Sequence, residues 1–214
     1  MKSCQCEGIE REFNAEDAET ELAAYREQGP SQTTQYLIDA LAEQGVEGHT
    51  LLDIGGGVGA IQHSLLSRGA STAIAVEASE AFARAAENQA RELGWGEQVE
   101  VRHGDFVELA ETVPRQDIVT LDRVICCYHD MKSLVRLSAA RARKLYGVVY
   151  PREVWWNKIA SGLMNLFLWI TRSPFRTFIH PEAGVQRILD QVGLERVFYK
   201  RTFFWQVAVY SRKS

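Results

Sequence analysis

The chain has 214 residues, of which 46% are hydrophobic and 24% are charged, and acidic residues outnumber basic residues by 28 to 24. This length favours one domain with at most a small appendage, and the composition excludes disordered, collagen-like and low-complexity proteins. The net charge of −4 and the lack of a long basic tract argue against nucleic acid as the main partner.

Cysteine usage and apolar segments indicate the compartment. Cys4 lies close to Cys6, and Cys126 is adjacent to Cys127, which is a poor framework for disulfides in a chain of this length. The N-terminus lacks the apolar core of a signal peptide. The longest apolar stretch, Ile159 to Ile170, is shorter than the roughly 20 residues of a membrane-spanning helix. We therefore expect a protein of the reducing cytoplasm.

The N-terminal region, residues 1–48, is predicted to be a helical segment. An acidic helix covers residues 10–26, and the pair Gly29 and Pro30 breaks it. Ser31 is placed to cap a second helix that has one apolar face.

Residues 49–214 begin with short apolar strands that alternate with helices. This alternation is typical of a parallel sheet covered by helices on both faces. The predicted strands are 50–54, 72–76, 99–103, 117–121 and 145–150, and the predicted helices include 58–67, one capped by Ser79 and one capped by Asp130.

The C-terminal part changes this pattern. A predicted helix over 181–192 is followed by strands over 194–200 and 203–211, and the link between these strands is too short for a parallel crossover. They should form an antiparallel hairpin. The expected fold is therefore α/β: a Rossmann-like, doubly wound, mostly parallel seven-stranded sheet with an antiparallel C-terminal strand, N-terminal helices and a helical cap insertion at 152–178.

A glycine-rich loop follows the first predicted strand, where parallel sheets bind ligands. Gly55, Gly57 and Gly59 allow a sharp turn and a close approach of the backbone to a ligand. Glu77 ends the second strand 22 residues after Gly55, where an acid can accept hydrogen bonds from ribose hydroxyls. This loop also fits the dinucleotide fingerprint, so an NAD-dependent oxidoreductase is an alternative.

Two further features distinguish these interpretations. Asp53 precedes the glycines in a D-x-G-x-G-x-G pattern, and the sequence His-Gly-Asp-Phe at 103–106 follows the third strand. With these motifs, residues 31–212 resemble the class I S-adenosylmethionine-dependent methyltransferases. The resemblance implies S-adenosylmethionine as the cofactor.

The resemblance also implies roles for individual residues. Asp53 and the three glycines belong to the loop that binds the cofactor, and Glu77 binds its ribose. Asp105 binds the adenine amino group, and Phe106 packs on the adenine ring. From their place after the fourth strand, Asp122 and Arg123 are either a structural pair or residues that face the methionine end of the cofactor, and we expect the Asp122 backbone at that end.

The segment Leu121 to Met131 is similar to one in the magnesium-protoporphyrin O-methyltransferases. That group has a strand ending in Asp, then a short apolar run, His-Tyr-Pro and a helix. Tyr128 matches the group's tyrosine, but Cys127 replaces its histidine and His129 its proline. Because that histidine is a candidate base, we expect the shared structure without the porphyrin substrate.

His129 and Tyr128 are the candidate catalytic residues. Methyl transfer is an in-line displacement in which the cofactor supplies the activated methyl group. A phenol or carboxylate acceptor needs no base, whereas a neutral alcohol or amine benefits from one. His129 could act as that base or orient the substrate, or it could be a surface residue beside Asp130. Cys126 and Cys127 are expected to be small buried residues that could line the pocket.

The cap insertion carries an unusually broad apolar helix. At helical spacing, a stripe is formed by Trp155, Ile159, Leu163, Leu166 and Ile170, and it is widened by Trp156, Met164, Phe167 and Leu168. Such a helix must be covered by the domain core, a second subunit, a membrane surface or a large apolar substrate. We expect a mobile cap over a planar or lipophilic acceptor, with peripheral membrane contact or a homodimer through 155–170 as alternatives.

The sequence thus predicts an enzyme that transfers a methyl group to a small, apolar or planar metabolite, most simply by O-methylation. A non-catalytic, S-adenosylmethionine-binding regulatory domain is a further alternative. Cys4 and Cys6 could bind a metal together with His49 or His180, but two ligands without a second pair are a weak signal. No metal is expected.

Overall fold

A computed structural model describes residues 4–213, with side chains from Gly8 onward. Within this part, seven strands form one mixed sheet in the order β3-β2-β1-β4-β5-β7-β6. The strands are β1 (Thr50–Ile54), β2 (Thr72–Glu77), β3 (Val99–His103), β4 (Gln116–Asp122), β5 (Ala142–Pro151), β6 (Leu194–Arg201) and β7 (Trp205–Arg212).

Helices cover both faces of the sheet. They are α1 (Cys4–Glu12), α2 (Ala15–Gln28), α3 (Gln32–Glu43), α4 (Ala60–Leu66), α5 (Glu80–Glu92), α6 (Phe106–Leu109), α7 (Met131–Arg141), α8 (Trp155–Ile170) and α9 (Glu182–Gln191). Short 3-10 turns follow α6 and β4. One core cluster packs α7 and α9 on the sheet, and a second packs α3 and α4 on its other face.

The sheet topology confirms the predicted fold. Strands β1 to β5 pair in parallel, whereas β7 runs antiparallel to both β5 and β6. Because β1 pairs with β2 on one side and β4 on the other, the strand order reverses at β1. A cleft is expected at the carboxyl ends of the strands beside such a reversal.

The N-terminal helices differ from the prediction in two details. The single helix expected over 10–26 is divided into α1 and α2, because the Asn14 side chain accepts backbone hydrogen bonds from the first turn of α2 and Asp17 reciprocates. Ser31 precedes α3 but does not cap it with its side chain. Its Oγ instead lies 2.7 Å from Thr34 Oγ1.

The cap insertion forms α8, which lies outside the hydrophobic core. Its large apolar side chains are between 50% and 70% exposed at Trp155, Ile159, Leu163, Met164, Leu166, Phe167, Trp169 and Ile170. Polar side chains on the opposite face attach α8 to the rest of the protein. Burial of the apolar stripe in the domain core is therefore not observed. In the described part of the chain, every helix is too short or too polar to cross a membrane.

Candidate cofactor and substrate cleft

A cleft of about 420 Å³ opens at the carboxyl ends of β1, β2 and β4. The helices α1 and α2 and the segment 173–178 cover it. Its charged lining consists of Glu21, Glu77, Asp122 and Arg123, and its large apolar lining consists of Ile9, Phe13, Phe82, Val124, Phe175 and Trp205. The cleft therefore combines a charged side with an aromatic side.

The glycine loop between β1 and α4 forms the floor of this cleft. Gly55 and Gly57 have φ values of 62° and 57°, which side chains rarely adopt. A Cβ atom on Gly55 would lie 2.5 Å from Val124 Cγ2, and one on Gly57 would lie 3.0 Å from Glu21 Oε1. Gly59 begins α4 beside them. Glycine is thus required for the loop to fit under α2.

Asp53 lies behind the loop rather than in the cleft. Its carboxylate is fully buried and accepts hydrogen bonds from Thr120 Oγ1 at 2.7 Å and Gln62 Nε2 at 3.2 Å. Burial raises its pKa to about 6, against the opposing effect of these two donors. A Cβ on Gly56 would collide with it. The Asp53 side chain therefore supports the glycine loop from behind, and its predicted contact with the cofactor stays a prediction.

Glu77 links the end of β2 to the glycine loop. Its Oε2 accepts a hydrogen bond from Gly57 N at 3.1 Å, and its Oε1 accepts one from Ser79 N at 3.0 Å. Burial raises its pKa to about 7, although these backbone donors favour the charged form. The Ala78 backbone is a third donor to this carboxylate, which has about four acceptor positions and so keeps one for a ribose hydroxyl.

Asp105 and Tyr128 meet at a narrow slot beside β2. Asp105 begins α6, and its Oδ1 accepts a hydrogen bond from Val107 N at 2.8 Å. The Tyr128 hydroxyl donates to Asp105 Oδ2 at 2.9 Å. Both residues line a slot of about 40 Å³ together with Phe106 and apolar residues such as Ile54. This slot brings together the acid and the apolar side chain that were expected at the adenine.

The two catalytic candidates, Tyr128 and His129, lie next to the Asp105 slot. The Tyr128 hydroxyl is engaged by Asp105 at the adenine-like slot. The His129 side chain is exposed, stacks on Tyr128 at 5.5 Å between ring centroids, and is absent from the lining of the cleft. The expectation that these residues act on the methyl acceptor stays a prediction.

Side chains of opposite charge lie close together beside the glycine loop, where β4 ends. Asp122 Oδ2 accepts a hydrogen bond from Thr34 Oγ1 at 2.5 Å, and Asp122 Oδ1 lies 3.3 Å from Arg123 Nε. Glu21 faces both residues. Burial raises the pKa of Glu21 and has the largest effect on it, followed by the charge of Arg123, which lowers it, and that of Asp122, which raises it. An adjoining cavity of about 220 Å³ is lined by Tyr25 and these same groups. Glu21 was not predicted, because the sequence alone does not show which acid of α2 faces the cleft.

Aromatic residues form the remaining side of the cleft. Phe13 makes edge-to-face contacts with Phe175 at 5.6 Å and with Phe82 at 6.0 Å between ring centroids. The two adjacent cysteines line this side, with their Sγ atoms 3.7 Å apart. The hydrogen bond between the two thiols, followed by burial, raises the pKa of Cys126 well above its usual value. The Cys126 thiol is therefore not poised as a thiolate nucleophile.

The segment after α8 is fixed to the β4 loop. Phe178 N donates to Cys126 O at 2.8 Å, and His180 Nε2 lies 2.8 Å from Tyr128 O. Burial lowers the pKa of His180. Among the described residues there is no cluster of three or more potential metal ligands. The Cys4 and Cys6 side chains lie outside the described residues.

Comparisons with known proteins agree with this geometry. A family model described as a methyltransferase domain matches residues 51–146, which include the glycine loop and the acids that follow β2 and β3. No curated protein matches the sequence. Among solved structures, the chain is similar to magnesium protoporphyrin IX methyltransferase from Synechocystis PCC 6803 with bound S-adenosylhomocysteine, at 20% identity over 96% of this chain and 98% of that chain, with a TM-score of 0.72.

Two other solved structures are also similar. An O-methyltransferase family protein from Burkholderia thailandensis is 16% identical over 96% of this chain and 63% of that chain, with a TM-score of 0.72. Geranyl diphosphate C-methyltransferase from Streptomyces coelicolor A3(2) is 15% identical over 94% of this chain and 84% of that chain, with a TM-score of 0.68. At these identities the structures establish the fold, whereas the family model identifies the domain. Residues 51–146 thus form a methyltransferase domain, and the chain as a whole has the fold of the class I S-adenosylmethionine-dependent methyltransferases.

Proposed function

We propose that this enzyme methylates an anionic oxygen, a carboxylate or an acidic phenol, on a small, flat and apolar metabolite. The observation that carries the proposal is the division of the cleft into a charged side suited to the cofactor and an aromatic side without an imidazole among its described lining residues. The proposal concerns both the placement of the cofactor and the nature of the acceptor.

The cofactor is proposed to lie across the glycine loop. Glu77 accepts hydrogen bonds from its ribose, and Asp105 accepts one from the adenine amino group. At the other end, Asp122 and Glu21 suit the ammonium group of the methionine part, and Arg123 suits its carboxylate. This assignment is supported by the adjacency of these charges on either side of Gly55 and Gly57.

The acceptor is proposed to occupy the aromatic side, against Phe13, Phe175 and Trp205. Aromatic walls favour a flat apolar molecule, because offset stacking and edge-to-face contacts both add to area burial. The similar Synechocystis structure is named for a magnesium porphyrin, and the Burkholderia structure for O-methylation, and both names are compatible with such an acceptor.

The reaction requires alignment more than acid–base chemistry. An oxygen lone pair attacks the methyl carbon, an O–C bond forms, and the C–S bond breaks with its electrons going to sulfur, which gives S-adenosylhomocysteine. An anionic oxygen has no proton to lose, so the protein has only to hold the two reactants in line and exclude water. The carboxylates of the cleft are already assigned to the cofactor, and the Cys126 thiol is held protonated.

A panel of acceptors tests this proposal. The enzyme is incubated with S-adenosylmethionine labelled in its methyl group and with flat aromatic acceptors that differ only in bearing a carboxylate, a phenol or an amine. We expect label in the carboxylate or phenol products. Alkaline treatment separates the two, because a methyl ester releases labelled methanol whereas a methyl ether does not. Preferential labelling of nitrogen or carbon would refute the proposal.

A further inference from the structure

The helix α8 is attached to the protein with its polar face inward. Asn157 Nδ2 donates to the carbonyl oxygens of Arg152 at 2.9 Å and Phe204 at 2.8 Å. Ser161 and Asn165 hydrogen-bond to Thr177, with Asn165 Nδ2 2.8 Å from Thr177 O. This is the reverse of an ordinary surface helix, whose apolar face packs on the core.

The turn between β6 and β7 extends the apolar surface. Phe203 and Phe204 are exposed at this turn, and Phe203 stacks on Trp156 at 5.3 Å between ring centroids. Arg152 donates to the carbonyl oxygen of Phe203 and lies over the Trp156 ring. We call the exposed apolar residues of α8 together with Phe203 and Phe204 the outer aromatic face.

The outer aromatic face is wide and convex. Each residue of a helix turns about 100° around the helix axis. Seen down the axis of α8, the exposed apolar side chains therefore cover an arc of about 220°, with Trp169 at one edge and Met164 at the other. A seam between two helices uses a stripe of about 100° or less, so a single partner helix would leave most of this arc in water. A bilayer interface can surround a convex arc of this width. At 16 residues the helix is about 24 Å long and would lie along such a surface.

Charge around the face is opposite in sign to that of the chain as a whole. The segments 152–182 and 200–205 contain six basic residues and two acidic residues, Glu153 and Glu182, although acidic residues exceed basic ones overall. Lys158, Arg172 and Lys200 are exposed. A tryptophan stands near each end of α8, a position that suits the polar and apolar parts of indole at a membrane interface.

We propose that the outer aromatic face docks this enzyme on the surface of an anionic lipid bilayer. The helix α8 lies in the interface with its apolar arc among the acyl chains, and the basic residues face the anionic head groups. The segment that follows α8 supplies Phe175 and Thr177 to the cleft, so docking would hold the aromatic side of the cleft close to the lipid.

Vesicle binding tests this proposal with the full-length protein. Sedimentation is compared between vesicles of phosphatidylcholine alone and vesicles that also contain phosphatidylglycerol. We expect binding mainly to the anionic vesicles, weakened in about 0.5 M salt because the head-group attraction is screened. Quenching of tryptophan fluorescence by brominated acyl chains should accompany binding and should decrease in Trp169→Phe.

Substitutions assign the binding surface. The double variant Phe167→Gln/Trp169→Gln should lower the vesicle partition coefficient about tenfold or more. Lys200→Gln should lower it about fivefold on anionic vesicles only. The matched control, Leu93→Gln, changes an exposed leucine at the end of α5 and should bind as the parent does. Binding of S-adenosylhomocysteine should stay unchanged in all of them, which checks folding and separates this inference from the proposed function.

Three results would overturn the docking proposal. The first is the absence of sedimentation with either kind of vesicle. The second is a dimer in analytical ultracentrifugation that the double variant dissociates while vesicles remain unbound, which would assign the face to a second copy of the chain. A rise in the KM for the acceptor in the double variant, without vesicle binding, would favour a substrate cap and would also contradict docking.

Discussion

Cofactor affinity is expected to depend on pH through Glu77. In the empty cleft, burial raises the pKa of this carboxyl to about 7, so about 10% is ionised at pH 6 and about 90% at pH 8. Ribose hydroxyls donate to the charged form and should lower the pKa of Glu77 well below this value in the complex. The complex then binds fewer protons than the empty protein. The affinity for S-adenosylhomocysteine should therefore rise about tenfold from pH 6 to pH 8.

Calorimetric titration measures this linkage in two ways. The dissociation constant is followed from pH 6 to pH 8, and the protons released are counted at pH 7 by comparing buffers with different ionisation enthalpies. About half a proton should be released per cofactor bound at pH 7. The Glu77→Gln variant should bind more weakly at pH 8 and lose the pH dependence. The control Glu100→Gln, an exposed carboxyl on β3, should behave as the parent does.

Two results would contradict the predicted role of Glu77 in cofactor binding. An affinity that is flat or falls between pH 6 and pH 8 would show that the ribose does not contact the Glu77 carboxylate. A pH dependence that persists in Glu77→Gln would assign it to another group, for which Glu21 is the first candidate because its pKa is also raised by burial.

Three further predictions concern other parts of the site. Tyr128→Phe removes the donor to Asp105 and should weaken S-adenosylhomocysteine binding by about 1 kcal/mol, or about fivefold, in the same titration. His129→Ala should keep kcat within about twofold of the parent in the labelled-methyl assay, instead of the roughly 100-fold or greater loss that removal of a general base causes. Gly8→Ala places a Cβ atom 2.9 Å from a backbone nitrogen of the cap segment, so it should destabilise the protein by about 1–3 kcal/mol in urea unfolding and raise the KM for the acceptor. Its control, Gly162→Ala, meets open space on α8 and should stabilise the protein by about 0.5–1 kcal/mol.

These outcomes distinguish the roles of the residues. Unchanged cofactor binding in Tyr128→Phe would show that the adenine does not depend on Asp105 being oriented by this hydroxyl. A large loss of kcat in His129→Ala, with normal cofactor affinity, would restore this histidine as a base. Equal effects of the two alanine variants on stability would mean that the close contact between α1 and the cap segment is unimportant.

Local patterns in the sequence predicted the sheet and the loop because the governing contacts are local. Thr50–Ile54 is short and mostly apolar and is followed at once by glycine, which is sufficient to predict a buried strand and a tight turn. The few residues between the last two strands allow only an antiparallel pairing.

Functional roles were harder to predict, because they depend on distant contacts. The sequence places Asp53 beside the glycines, but only the fold shows that Thr120 and Gln62 occupy its oxygens. Helical spacing identified the apolar stripe of α8, but it could not show that hydrogen bonds from Asn157 and Asn165 turn that stripe outward.

A crystal structure with bound S-adenosylhomocysteine would test the central assignment most directly. We predict ribose hydroxyls within hydrogen-bonding distance of Glu77, the adenine amino group at Asp105, and the amino-acid end between Asp122 and Arg123. The sulfur should then face the aromatic side of the cleft formed by Phe13, Phe175 and Trp205. A sulfur that faces His129, or an adenine outside the Asp105 slot, would contradict this account of how the enzyme holds its cofactor.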